Sequence, residues 1–120
     1  MSTRFDREEL KILTEIGYSA AARGMGDRAR PIFEALAICM PDNAAAAIGY
    51  ALLAIVQGDF NQAITVLERD GIGKRENADG AKSILLMALK LAGRELDAAR
   101  LSRELSAAPG AVRSFAAALR

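Results

Sequence analysis

Histidine and tryptophan are absent from the chain. Without an imidazole the commonest general base, the histidine-assisted nucleophiles and most zinc sites are excluded together. Cys39 is the single cysteine, so no internal disulfide can form, and a reducing compartment is implied. Aromatic residues make up 5% of the chain although 52% of it is hydrophobic, so alanine and leucine must fill the core. Close packing of such small side chains suits helices lying near one another. Neither charge is in excess: 16 Lys+Arg stand against 15 Asp+Glu, a formal charge of +1. No net field is available to steer nucleic acid or an acidic membrane surface. Long hydrophobic runs are missing as well. The longest nearly apolar stretch, Ala44 to Val56, covers 13 residues, short of the ~20 that cross a bilayer. The start, MSTRFDREEL, puts charges where a signal peptide needs an apolar run. These absences point to a cytosolic, non-enzymatic helical domain without metal or cofactor. A catalytic proposal would have to rest on carboxylates or lysine, and no convergent set of those is visible. The 120 residues fit one domain, which should bury roughly two-thirds of its unfolded surface.

What is present is regular punctuation. Prolines occur only at 31, 41 and 109, and glycines fall mainly between apolar-periodic stretches. Asp6 followed by Glu9 reads as a capping box opening a helix with Leu10, Leu13, Ile16, Gly17 and Ala20 on one side. Gly24-Met25-Gly26 breaks it. A second helix presents Ala29, Ile32, Phe33, Leu36 and Ala37, with Pro31 in or just after its first turn, and ends near Met40-Pro41. Asp42 or Asn43 caps a third helix running to about Gln57, and Gly58-Asp59 turns into a fourth with Ala63, Ile64 and Leu67. Asp70 to Gly80 is the one long polar loop. Helices over about 81–92 and 96–105 follow, and a last short one from Pro109 offers Val112, Phe115, Ala116 and Leu119 at helical spacing. No window alternates with period two, so no sheet is expected.

Superposition of these pieces shows a repeat. Gly24 and Gly58 lie 34 residues apart, as do Gly17 and Ala51, Ala20 and Ala54, Ala29 and Ala63, and Phe33 and Leu67. A third copy is offset by 35, pairing Gly58 with Gly93 and Ala63 with Ala98, but it places Leu86 at the small position and Ser102 at the large one. Thirty-four residues of helix–turn–helix is the period of the tetratricopeptide repeat. The fold expected is therefore an all-α tetratricopeptide-repeat solenoid. Its repeats would run over about 10–43, 44–77 and 79–108, closed by a capping helix over 109–119.

In such a solenoid the first helix of each repeat lines a concave face. The positions that would face it are Lys11, Thr14 and Tyr18, then Ala45, Ile48 and Leu52, then Gly80, Ser83 and Met87, with Ala21, Ile55 and Lys90 one turn on. Tyr18, Ile48, Leu52, Ile55 and Met87 would form an apolar stripe suited to an amphipathic helix. The alternative is that they are core, covered by the C-terminal helix. The lysine and asparagine pattern by which some tetratricopeptide domains grip a C-terminal carboxylate is not expected at these positions.

Other patterns carry less. Gly24 to Ala29 reads as GxGxxA, but a dinucleotide fingerprint must follow a strand and a helix precedes this one. Gly73-Lys74 lacks the rest of a phosphate loop. Cys39, with no histidine to activate it, reads as a buried small hydrophobe, and Lys74-Arg75 is too small a basic cluster to bind nucleic acid alone.

Three stretches carry a likeness to a known family. Leu13-Thr14-Glu15-Ile16 through Asp27-Arg28-Ala29 to Glu34-Ala35-Leu36, the turn Gly58-Asp59-Phe60-Asn61-Gln62-Ala63, and the tail Ala108 to Phe115 are spaced as in one group of small cytosolic proteins. The chain resembles the tetratricopeptide chaperones of bacterial type III secretion, most closely those of the needle subunit. The likeness spans nearly the whole chain; Phe33-Glu34-Ala35-Leu36 is also similar to the translocator chaperones of those systems. The resemblance implies a bacterial cytosolic protein, involved in virulence, that holds an amphipathic helix of the needle subunit in its groove and prevents premature polymerisation. It also implies a small helical co-chaperone against the helices from Asp6 to Met40. The loop from Asp70 to Gly80 looks longer than that family's. A generic tetratricopeptide adaptor, or a self-associating scaffold that is a homodimer when alone, would explain an apolar groove equally well.

Overall fold

The structure, a computed structural model, describes residues 5–107. Six helices follow in chain order: α1 (Arg7–Ala22), α2 (Gly26–Cys39), α3 (Ala45–Val56), α4 (Phe60–Asp70), α5 (Ala78–Leu91) and α6 (Glu95–Ser106). The expected capping helix over 109–119 lies outside the described residues. The starts of α1 and α4 are capped by side chains. The capping box of α1 forms as read: Asp6 Oδ1 accepts from the Glu9 amide at 2.8 Å, and the Asp6 amide donates to Glu9 Oε1 at 2.9 Å. Asp59 caps α4 by accepting from the Gln62 amide at 3.1 Å.

The turns inside the three helical hairpins are copies of one another. Gly24, Gly58 and Gly93 all sit near φ +80° (76°, 81° and 78°), a left-handed conformation that costs any residue with a Cβ. At each, the following amide reaches back five residues: Met25 to Ala20, Asp59 to Ala54, and Arg94 to Leu89, at 2.8–2.9 Å. This closes the orphan carbonyls of the helix as a Schellman turn does.

The hairpins stack so that the first helices, α1, α3 and α5, touch in succession, while α2 packs on α3 and α4 on α5. Where α1, α2 and α3 meet, Phe33 is fully buried. A Cβ on Gly17 would come within 2.8 Å of the Phe33 ring, and one on Gly49 would overlap it. Tyr18 and Tyr50 flank the same ring at centroid distances of 6.1 and 5.6 Å. A second cluster, built from Ala51, Ile64, Leu67, Leu85, Leu86 and neighbours, joins α3 to α6.

Pro31 does lie just after the first turn of α2, which begins at Gly26. Three expectations need correction. Ile16 was expected on the packed side of α1 and is instead 52% exposed: among the described residues no second helix of an earlier repeat covers that face. Cys39 is exposed, since it is the last residue of α2 and Met40 packs against the core in its place. The polar loop is shorter than Asp70 to Gly80, because α4 ends at Asp70 and α5 begins at Ala78.

That loop is also tied down. An isolated parallel bridge joins Asn43 to Glu76: the Ala44 amide donates to the Glu76 carbonyl at 2.9 Å, and the Glu76 amide to the Asp42 carbonyl at 3.0 Å. Asn43 Oδ1 accepts both from the Ala45 amide, 2.8 Å, and from Asn77 Nδ2, 2.9 Å. Lys74 Nζ adds a bond to the Pro41 carbonyl at 2.9 Å. One asparagine therefore caps α3 and clasps the following loop, whose Asn77 sits at φ 63°, a left-handed value that asparagine tolerates. Among the described residues no helix is long and apolar enough to cross a membrane.

Candidate functional site: a cleft on the first-helix face

The first helices enclose a cleft of about 910 Å³. Its α1 wall presents Arg7, Leu10, Lys11, Thr14, Glu15 and Tyr18, the i, i+3, i+4, i+7 spacing of one helix face. Its floor is Ala45 and Ile48 of α3, and its far wall is Gly80, Ser83 and Ile84 of α5. Met40 closes one end, and the clasped residues Asn43, Glu76 and Asn77 form a polar rim. An apolar floor with polar groups along the edge is the usual composition of a binding groove. Such a surface can hold an amphipathic segment by burying its apolar side and leaving its polar side on the rim. Among the described residues no group of three or more His, Cys, Asp or Glu could hold a metal.

The five stripe residues fall in two places. Tyr18 and Ile48 line the cleft; Ile48 is only 7% exposed, so its tip is floor and its body is core. Leu52 and Ile55 continue the same face of α3 beyond the cleft, half-buried against the second cluster. Met87 is half-buried on α5, one turn past Ser83, and does not line the cleft. Lys11, Thr14, Ala45, Gly80 and Ser83, read as facing the groove, do line it, whereas Ala21 is fully buried.

Sequence reasoning missed Leu10, Met40, Ile84 and the rim. A signal for the rim was available: Asn43 and Asn77 are separated by the repeat period of 34, just ahead of two equivalent helices.

Tyr18 fixes the α1 wall. Its hydroxyl donates to the Ala45 carbonyl at 3.2 Å, and burial pushes its pKa up from 10.0 to about 12. The folded state thus holds the phenolic proton more tightly than the unfolded chain does. The resulting stability is complete below pH 10 and is lost as pH rises from 10 toward 12. Tyr18→Phe is expected to flatten the alkaline limb of the stability–pH curve in that window, measured by urea unfolding at stepped pH. A limb unchanged by the substitution would refute the assignment.

No curated protein and no solved structure matches the chain. Residues 20–82, running from the end of α1 into α5, match the tetratricopeptide repeat, a helical scaffold for protein–protein interaction. Helix pairs at a 34-residue period, turn glycines in one conformation, and a family match covering more than half its length agree: the chain belongs to the tetratricopeptide-repeat family.

Proposed function

We propose that this protein is a cytosolic chaperone of bacterial type III secretion that holds an amphipathic helix of the needle subunit in the first-helix cleft. The cleft carries the reading: an apolar floor at Ala45 and Ile48 bordered by a polar rim suits a helix that is apolar on one side. Covering that side would remove the surface by which the subunit self-assembles, with no chemical step. The groove would continue along Leu52, Ile55 and Met87, and a small helical co-chaperone would sit on the N-terminal repeat. The likeness of the chain to needle-subunit chaperones supplies the cargo; the family itself supports an adaptor of proteins.

Gly80 offers a clean test. It is exposed, lines the cleft at the start of α5, and a Cβ there meets Ile48 Cδ1 at 3.4 Å, an ordinary contact. Gly80→Arg should fill the cleft without unfolding the chain. The expected result is that the wild-type protein, at equimolar amounts, suppresses needle-subunit polymerisation followed by light scattering, and that Gly80→Arg reduces this at least tenfold. Failure of the wild type to suppress polymerisation would sink the chaperone reading and leave the adaptor.

A further inference from the structure

The opposite side of α1 from the cleft carries a second apolar surface. Ile12 and Ile16 are 51% and 52% exposed. The repeat shows what such positions do elsewhere. Shifted by 34 they become Ala46 and Tyr50, which pack on α2, Tyr50 edge-on to Phe33. Shifted by a further 35 they become Ala81 and Leu85, buried in the cluster that holds Ile64 and Leu67 of α4. In both later repeats this face is therefore covered by the second helix of the preceding repeat. In the first repeat the covering helix is missing among the described residues, yet the side chains are large and aliphatic.

The face has the arithmetic of a self-complementary seam. Glu9, Ile12, Ile16, Ser19 and Arg23 follow one another at steps of three, four, three and four, with Phe5 four residues before Glu9. Placed antiparallel about a twofold axis, the steps map onto themselves. Ile12 meets Ile16 of the other copy, Glu9 meets Ser19, and Phe5 meets Arg23. Glu8 and Glu9 at one end of α1 then lie near Arg23, at the other end of the second copy's helix, all three exposed. A parallel pairing would set Glu9 on Glu9 and Arg23 on Arg23. Charge thus selects the antiparallel arrangement, and a twofold contact closes without propagating into a filament.

We propose that the free protein is a homodimer in which the Ile12–Ile16 face of α1 packs antiparallel on the same face of a second copy. The contact is one helix long, about 24 Å. A dissociation constant of about 10–100 µM is expected. The dimer leaves the cleft open, because the cleft residues of α1 lie on its other side. It does not depend on what the cleft holds, and a co-chaperone helix on this repeat would compete with it.

Sedimentation equilibrium of the full chain over about 1–200 µM tests the proposal. Wild type should pass from monomer to dimer across that range. Ile12→Lys with Ile16→Lys should stay monomeric throughout with unchanged helical circular dichroism, and Arg23→Glu should weaken the dimer about tenfold. In a Cys39→Ser background, Ile12→Cys with Ile16→Cys should give an intermolecular disulfide on oxidation, a readout that does not rely on loss. A wild type monomeric at the highest concentration would overturn the proposal, as would a dimer indifferent to both lysines.

Discussion

Phe33→Ala is expected to remove about 3–5 kcal/mol of stability, the largest loss from any single truncation in this chain. The ring is fully buried where α1, α2 and α3 converge, and it is the aromatic partner of both Tyr18 and Tyr50. Its removal takes away the transfer free energy of a whole ring and leaves a void that two glycines cannot close, because neither Gly17 nor Gly49 has a side chain to move in. For a chain of this size each kcal/mol shifts the melting temperature by about 3–6 °C, so a fall of roughly 10 °C or more should appear in thermal circular dichroism. A loss under about 1 kcal/mol would show that the ring does not hold the first two repeats together.

Gly49→Ala should have the second largest effect, and its sign is the informative part. In the interior of α3 alanine is favoured over glycine by up to about 1 kcal/mol. Against this, the new Cβ would overlap the Phe33 ring, whose Cε1 edge is also the part that a Cβ on Gly17 would meet, at 2.8 Å, so the ring is closely fitted between the two glycines. Overpacking of this kind costs about 1–3 kcal/mol or more, so a net loss of about 2 kcal/mol is expected in urea unfolding. The same substitution in a Phe33→Leu background, where the flat ring is gone, should be neutral or stabilising. Additive effects of the two changes would refute the steric account.

Much of the fold was legible because its determinants are local. The 34-residue period, the three turn glycines, the Asp6–Glu9 capping box and the small residue at Gly17 opposite Phe33 each act within one helix pair. The third copy was legible only in part. Leu86 and Ser102 reverse the small-and-large order of Gly17 with Phe33 and Ala51 with Leu67, at the same separation of 16 residues, and both are buried. Volume has moved from the second helix to the first. Ser102 gives up the bulk and leaves its Oγ without a hydrogen-bond partner among the described residues.

What could not be read is non-local. Periodicity marks Ile16 as apolar but cannot say that no described helix covers it. Polarity marks residues 70–80 as loop but cannot say that Glu76 pairs with Asn43, a contact between two turns. The cleft inherits that difficulty. Its walls follow from helix spacing, whereas its rim depends on a loop docking against the preceding one.

Solenoids held only by neighbour contacts lose structure gradually from their ends. The clasp between residues 42–45 and 74–77 strengthens one of these neighbour contacts. It links the entrance of α3 to the entrance of α5 through backbone and side-chain bonds, so neither helix start can unwind without releasing the other. The mouth of the cleft is thus one cooperative unit spanning two repeats. If a partner lies in the cleft as proposed, the bonds that tie this rim are already made, so less of it is left to order on binding.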